Sequence, residues 1–153
     1  MRPFFAVVSA LAFALAIVAV AGAEPPQPSG GAGTTSAPAL TNVRLADGNV
    51  LADFTQTGVL TGTFAGTFAT TGQLVVFKDG RTFEQAKIVF TGTTPCGTGV
   101  AVFEGNGHVI AGVGTAHVFT IDAAENTVGI HSVDDLLLAG PAFTYGGTYH
   151  CGP

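Results

Sequence analysis

The sequence predicts an all-β fold, an antiparallel up-and-down β-barrel of about eight strands, with a β-sandwich as the alternative. Composition is the first observation, because only 10% of the residues are charged and Thr, Val, Phe and Gly prevail beyond the N-terminal segment. Such residues favour strands and turns over helices. The second observation is a series of short segments that alternate in polarity between turn residues, which is typical of consecutive hairpins.

The segment from Gly58 to Thr70 carries the strongest alternation, and the rest of the predicted barrel is arranged around it. One face holds Leu60, Gly62, Phe64, Gly66 and Phe68, and the other face holds small residues and threonines. We interpret the segment as one long strand, because successive side chains of a strand point to opposite faces. Glycines between the aromatic residues would let this strand coil around a barrel with Phe64 and Phe68 inside.

Two segments precede the predicted barrel. Residues 1–23 combine Arg2, a long apolar run and small residues at 21–23, which indicates a signal peptide; an uncleaved anchor is the alternative. Residues 24–39 are rich in Pro, Gly, Ser and Thr without periodicity, so we expect a flexible tether there. The barrel domain is then expected over residues 40–153, in an exported protein that is secreted or held in the cell envelope.

Turn residues divide the predicted barrel domain into strands. Asp47-Gly48 and Lys78 to Arg81 each predict a β-hairpin, since an Asp-Gly pair tolerates positive φ. The segment from Gly92 to Gly99 is predicted to be a loop, and Gly105 to Gly107 is predicted to be a turn.

The C-terminal third gives weaker strand patterns. His108 to Val113 and Thr115 to Asp122 are interpreted as one kinked strand or two short ones, and Ala123 to Asn126 as a turn. The assignment of Asp134 to Leu138 stays open between strand and loop, and the last strand is expected from Ala142 to Tyr149.

Three runs, TGVLTGTFAGTF, LVVFKDGRTFEQAKIVFTGT and GVAVFEGNG, resemble the pattern of the allene oxide cyclase and dirigent-type barrels. They are also similar to small bacterial barrel proteins of unknown function related to these. The resemblance spans roughly residues 54–119 and rests on Gly and Phe spacing and on one Asp-Gly hairpin. It implies an eight-stranded antiparallel barrel whose largely apolar interior can hold a small hydrophobic molecule. The catalytic and pocket residues of the plant enzymes align with none of these positions, so none is assigned.

The charge of the chain excludes nucleic acid as a partner. The net charge is −5, and without residues 1–23 four basic residues face ten acidic ones, which gives −6. A nucleic-acid backbone requires a basic stripe that this sequence lacks, and the same deficit disfavours anionic membranes. A membrane is therefore expected as a partner only through an uncleaved N-terminal segment.

The two cysteines, Cys96 and Cys151, are expected to form a disulfide, because an even number of cysteines in an exported chain is most simply paired. A catalytic thiolate beside His150 is the alternative. Adjacent side chains of a strand point apart, which disfavours a thiolate and imidazole pair at these positions.

Other catalytic and metal-binding motifs are absent from the sequence. The four histidines and Asp134-Asp135 lack ligand spacing such as HExxH, so no metal is predicted. Ser132 is the only serine beyond the predicted tether and lies in no G-x-S-x-G motif. Glycine-rich phosphate motifs are missing as well, so the sequence assigns no cofactor and no catalytic residue.

Glu84 and Glu104 are carboxyl groups set among apolar strand residues. Inside an apolar barrel either would have a raised pKa and could hold a ligand or act as an acid; at a strand end either would reach water. The candidate cavity residues are two carboxyl groups and five apolar residues: Phe64, Phe68, Glu84, Ile88, Phe90, Phe103 and Glu104. With 12 phenylalanines in the chain, we expect a nearly full interior with room for a small guest.

Three hypotheses for function follow. The favoured one is an exported barrel that binds a small apolar ligand weakly and without turnover, or that serves as a passive envelope protein. The second is a barrel cyclase or isomerase that acts through an apolar cavity and Glu84 or Glu104. The third is an immunoglobulin-like adhesion or cell-wall module, which requires the sandwich.

Overall fold

The computed structural model describes residues 24–152, which form nine strands and no helix. The strands are β1 Gln27–Thr35, β2 Ala39–Ala46, β3 Asn49–Gly62, β4 Ala65–Val76, β5 Arg81–Thr94, β6 Gly97–Ile110, β7 Val113–Thr120, β8 Ile130–Ala139 and β9 Ala142–Cys151. The predicted all-β fold is confirmed. The predicted signal peptide, residues 1–23, lies outside the described residues. Within the described range, no helix is long and apolar enough to cross a membrane.

Strand β1 closes the sheet into a barrel. It pairs antiparallel with β9 over Gln27 to Thr34 and with β3 over Gly31 to Thr35. The other barrel strands are joined as consecutive hairpins, so β1 and β3 to β9 form a closed antiparallel ring of eight strands. Because the first and last strands pair, the predicted barrel is confirmed. The alternative prediction of a β-sandwich is wrong. The hypothesis of an immunoglobulin-like module is wrong as well, because it requires a sandwich.

Strand β2 is an additional strand outside the closed ring. It pairs with Asn49 to Thr55 in the first half of β3, whereas β1 pairs with the second half. Its register shifts between Thr41 and Arg44, where Asn42 has a φ of 51°. A bulge and a charged residue on an exposed edge disfavour pairing with another chain.

The tether predicted over residues 24–39 is wrong for its central part, because Gln27–Thr35 is β1. The glycines of this strand meet a packing requirement. A Cβ on Gly31 would lie 2.0 Å from the carbonyl oxygen of Thr61, and a Cβ on Gly33 would lie 2.3 Å from Cζ of Phe143. The neighbouring strands β3 and β9 leave no space for a side chain at either glycine. The barrel therefore begins at residue 27 rather than at residue 40.

The segment from Gly58 to Thr70 is a hairpin, so the prediction of one long strand is wrong. Strand β3 ends at Gly62 and β4 begins at Ala65. Gly62 has a φ of 104°, and a Cβ there would lie 2.4 Å from the carbonyl oxygen of Gly30 in β1. Only glycine combines this backbone conformation with so close an approach. Phe64 and Phe68 are nevertheless both buried in the barrel interior.

The predicted loop from Gly92 to Gly99 is also wrong, since most of it belongs to strands. Thr94 pairs with Gly97 at the ends of β5 and β6, which leaves Pro95-Cys96 as a two-residue turn. Pro95 keeps a negative φ inside this turn, and the positive φ of 139° falls on Gly97, the first residue of β6.

The turn predicted at Gly105 to Gly107 lies inside β6, and the chain turns instead at Ala111-Gly112. The two glycines accommodate side chains from neighbouring strands. A Cβ on Gly107 would lie 2.8 Å from Oε1 of Glu84, and one on Gly105 would lie 2.9 Å from Cγ2 of Val118. Glycine in a strand can thus mark a close contact as well as a turn.

Both Asp-Gly hairpins are confirmed. Asp47-Gly48 joins β2 to β3, and Asp79-Gly80 lies between β4 and β5, with positive φ at Asp47, Gly48 and Gly80. The turn at Ala123 to Asn126 is confirmed by the hydrogen bond that Asn126 N–H donates to the Ala123 carbonyl oxygen. The segment from Asp134 to Leu138, which the sequence left open, belongs to β8.

An aromatic cluster fills the end of the barrel that carries the β3–β4, β5–β6 and β7–β8 connections. Phe64 lies at its centre, with ring centroids 5.8 Å from Phe90, 5.6 Å from Phe103 and 5.7 Å from Tyr145. Buried Ile130, at the start of β8, belongs to the same cluster. Edge-to-face packing at these separations is favourable for aromatic rings. These buried rings therefore close this end of the barrel.

Candidate functional site

A cavity of about 530 Å³ occupies the rest of the barrel interior. Its lining extends to Gly112 in the β6–β7 turn and Gly140 in the β8–β9 turn, which are both exposed to solvent. The cavity therefore opens at the end opposite the aromatic cluster. Most of its wall is apolar and includes Leu60, Leu74, Ile88, Val118, Leu136, Leu138 and Phe143.

Strand periodicity decides which residues form this wall. In β3, β4 and β5, the side chains that line the cavity are all at even-numbered positions, such as Phe54, Phe68 and Phe90. The odd-numbered residues between them face outward, and this is the alternation that a pleated strand imposes. The local sequence therefore fixes which face of each strand is inside.

Aromatic rings of the wall lie against glycines of neighbouring strands. Phe68 is the pairing partner of Gly58, and a Cβ on that glycine would lie 2.3 Å from Cζ of Phe68. The same arrangement places Phe54 over Gly72, whose Cβ would lie 2.8 Å from Cε1 of the ring. Rings that cover interior glycines lie along the sheet, so they leave the middle of the barrel open.

The expectation of a nearly full interior is therefore wrong. Ligand pockets in proteins enclose roughly 300–1,000 Å³, and this cavity of about 530 Å³ lies within that range. Beyond the flattened rings, small residues at Ala86, Gly105, Gly107 and Ala116 face the cavity from three neighbouring strands. The count of phenylalanines overestimated the filled volume because it took no account of where the rings lie.

Glu84 is a half-buried carboxyl group in the wall of the cavity. Its side chain crosses to β6, where Oε1 occupies the space that a Cβ on Gly107 would need. Burial raises the pKa of Glu84 above its ordinary value of 4.5, with no opposing hydrogen bond from residues 24–152. The group therefore costs free energy when it is charged and lacks a partner.

Asp134 is a second carboxyl group in the cavity wall, and it does have partners. Ser29 of β1 donates a hydrogen bond to Oδ1 of Asp134. Burial raises the pKa of Asp134, while hydrogen bonds from Ser29 and Ser132 act in the opposite direction. The pair of Ser29 and Asp134 also ties the closing strand β1 to β8.

Tyr145 links the aromatic cluster to the cavity. Its hydroxyl accepts a hydrogen bond of 2.9 Å from the N–H of Phe64 and donates one of 3.1 Å to the carbonyl oxygen of Thr61. Burial raises the pKa of Tyr145, and the nearby carboxylate of Asp134 adds to the shift. The tyrosine therefore stays neutral and holds the β3–β4 turn against β9.

The structure brings six of the seven candidate cavity residues together. Phe64, Phe68, Glu84, Ile88, Phe90 and Phe103 all line the cavity. The placement of Glu104 inside the barrel is wrong, because this residue lies on the outer face of β6 and is exposed. Phe103 is the buried neighbour that faces inward, so strand alternation directs Glu104 to solvent.

The sequence reasoning missed Asp134, Tyr145 and Phe143 as wall residues. A signal for them was present, since Asp134 alternates with Leu136 and Leu138, and Phe143 alternates with Tyr145. The contact of Ser29 with Asp134 had no such signal, because it joins residues 105 positions apart.

The predicted disulfide is confirmed. Cys96 in the β5–β6 turn and Cys151 at the end of β9 are bonded, with Cα atoms 5.4 Å apart. Both sulfur atoms are thus engaged, which removes the thiolate beside His150 as a nucleophile. Among residues 24–152, no group of three or more His, Cys, Asp or Glu side chains is arranged to hold a metal ion.

Comparison with known proteins shows a likeness of fold. No protein-family model and no curated protein matches this chain. Among solved structures, it is similar to a protein of unknown function from the DUF3224 family of Shewanella oneidensis MR-1, with a TM-score of 0.67 and 16% identity. The likeness covers 84% of this chain and 99% of that one.

At this level of identity, the likeness shows the barrel fold alone. The barrel that the resemblance to allene oxide cyclase and dirigent-type proteins implied is present. Membership of that superfamily stays a prediction. Any activity for this chain has to be argued from its own cavity.

Proposed function

We propose that this protein binds a small apolar molecule in the barrel interior. The observation that supports the proposal is the cavity of about 530 Å³, with mostly apolar walls and one end open to solvent. Apolar surface that a ligand covers is removed from water, at about 25 cal/mol per Å². A rigid, closed barrel keeps such a cavity preformed, so that the ligand orders few side chains as it binds.

Blocking the cavity tests this proposal. Ala116 lines the cavity from β7, whereas its neighbour Thr115 is exposed on the outer face of the same strand. The uncharged dye N-phenylnaphthylamine should bind the wild type with enhanced fluorescence. Ala116→Phe should lower the affinity for the dye by at least about tenfold, because the new ring occupies the cavity.

Thr115→Phe is the matched control, since it adds the same ring to the outside of β7 and should leave dye affinity unchanged. Equal loss of affinity in both variants would place the dye on the surface and contradict the proposal. Failure of the wild type to bind the dye and a panel of apolar compounds would favour a passive envelope protein.

A barrel cyclase or isomerase is the second candidate function, and Glu84 is the observation that favours it. Burial raises the pKa of this carboxyl group above its ordinary value, which is the direction that suits a general acid or base. The two functions differ in what happens to a bound compound. Mass spectrometry of ligand extracted after incubation should find it unchanged for a binding protein and converted to an isomer for an enzyme.

We also propose that the protein acts outside the cytoplasm. The bond between Cys96 and Cys151 supports this, because structural disulfides persist in oxidising compartments. Cell fractionation that recovered the folded, oxidised protein only from the cytoplasm would contradict export.

A further inference from the structure

The charged groups of the cavity wall are all of one sign. Glu84 and Asp134 both line the cavity, and in the described part of the chain no Lys, Arg or His side chain does. The other polar groups in the wall are neutral amides and hydroxyls. An occupant with a carboxylate or phosphate would therefore meet negative charge without any positive partner.

Two of the four Lys and Arg residues in the described part of the chain, Arg81 and Lys87, pair with acidic residues outside the cavity. Nε of Arg81 lies 2.8 Å from Oδ2 of Asp79, and Nζ of Lys87 lies 3.6 Å from Oε1 of Glu125. The chain as a whole carries more acidic than basic residues, which favours cationic over anionic ligands.

Within the cavity, the two carboxyl groups differ in their hydrogen bonding. Asp134 accepts a hydrogen bond from Ser29. In residues 24–152, no side chain or backbone group donates a hydrogen bond to the carboxyl group of Glu84, and burial is the one cause of its pKa shift. Buried charges in proteins are stable when they are paired and hydrogen-bonded. The described residues give the Glu84 carboxylate no such partner, so a bound ligand would have to provide it.

We propose that the cavity holds a small hydrophobic amine, whose ammonium group pairs with the Glu84 carboxylate while its apolar body lies against Phe68, Leu136 and Phe143. The inference rests on the proposed ligand-binding function and names the chemical class of the ligand. An ammonium group donates charge-assisted hydrogen bonds to a carboxylate, and these are stronger than neutral ones. The alkyl or aryl part of the amine meets the apolar wall described above.

Three probes that share the same alkyl chain but differ in their polar group separate binding in an apolar cavity from a preference for an amine. Octylamine, octanol and octanoate are titrated at neutral pH, each by displacement of N-phenylnaphthylamine. The wild type should bind octylamine at least about tenfold more tightly than octanol, because a hydrogen bond to a charged group is stronger than one between neutral groups. Octanoate should bind most weakly. Ala116→Phe should weaken all three if they occupy the cavity.

Glu84→Gln keeps the shape of the side chain and removes its charge. This variant should lose the preference for octylamine and keep the wild-type affinity for octanol, which also shows that its cavity is intact. Glu104→Gln is the matched control, because it removes the same charge from the outer face of the barrel. It should keep the preference for the amine.

The outcomes distinguish failure of the inference from failure of the proposed function. Binding of octanol or octanoate at least as tight as that of octylamine would overturn the amine inference and leave the apolar cavity as a binding site. A preference for octylamine that survives in Glu84→Gln would overturn the assignment to Glu84. Absence of binding by all three probes and the dye would overturn both proposals. The comparison of probes on the wild type needs no variant to fold.

Discussion

Glu84 and Asp134 both line the apolar interior, but their carboxyl groups differ in hydrogen bonding. Asp134 is held by serine hydroxyl groups from β1 and β8, whereas Glu84 lies across Gly107 without a donor among the described residues. A buried carboxyl group without a partner favours its neutral form. The stability of the folded barrel should therefore depend on the ionisation of Glu84.

We expect Glu84→Gln to raise the free energy of unfolding at neutral pH. Since the folded pKa of Glu84 lies above its unfolded value, its favourable contribution is complete below the unfolded pKa and is lost as pH rises through the folded pKa. The advantage of the glutamine variant should thus disappear as pH falls towards 4.5, the ordinary value. Asp134, in the same wall, is present in both proteins, so its titration largely cancels in the comparison.

Urea unfolding of the two proteins across this pH range measures the effect. Glu104→Gln should show a small difference that does not follow the same pH dependence, because Glu104 is exposed. A Glu84→Gln variant that is less stable than the wild type at neutral pH would show that a favourable interaction of the charged carboxylate had been removed.

At the scale of elements, β1 shows how glycine lets a strand close a barrel. Two of its glycines lie directly against rings and carbonyl groups of β3 and β9. A side chain there would have to displace backbone as well as an aromatic ring, and overpacking of a core typically costs about 1–3 kcal/mol. Closure of the sheet therefore depends on the absence of side chains in this strand.

Gly33→Val tests this requirement. A Cβ at Gly33 would lie 2.3 Å from Cζ of Phe143 and 2.8 Å from the carbonyl oxygen of Val59, so we expect the free energy of unfolding to fall by about 1–3 kcal/mol. Thr34→Val places the same side chain on the exposed outer face of β1 and is the matched control. Equal stability of the two variants in urea unfolding would contradict the packing role of Gly33.

At the scale of the whole molecule, the disulfide links the β5–β6 turn directly to the end of β9. In the sheet, β7 and β8 lie between β6 and β9. Cys96 and Cys151 are separated by 55 positions in the sequence. Cross-linking a loop of this length lowers the entropy of the unfolded chain and contributes at most about 4 kcal/mol in the chain-entropy model.

The double variant Cys96→Ser, Cys151→Ser should therefore unfold at a lower urea concentration, with a loss of up to about 4 kcal/mol. Wild-type protein measured with a reducing agent should behave like the double variant. If reduction left the wild-type midpoint unchanged and the double variant still lost stability, the serine substitutions would be disturbing the packing of the turn instead.

Local chemistry by itself determined several features of this protein. Strand alternation placed Phe68, Ile88 and Phe90 on the inner face, and the Asp-Gly pairs fixed two hairpins through positive φ. The pairing of the two cysteines followed from their number. The strand faces and hairpins depend on residues a few positions apart. The disulfide was predictable because each cysteine has only one possible partner in the chain.

Only the tertiary structure decided where the glycines belong, how the barrel closes and how much space it encloses. A glycine at a turn, such as Gly62, and a glycine under a neighbouring side chain, such as Gly107, are identical in sequence. Strand β1 looked like a tether because the groups that require its glycines, Phe143 among them, are far away in the chain. Hydrogen bonds between strands join residues of any separation, and so it is the folded sheet that determines closure, cavity and the place of Glu84.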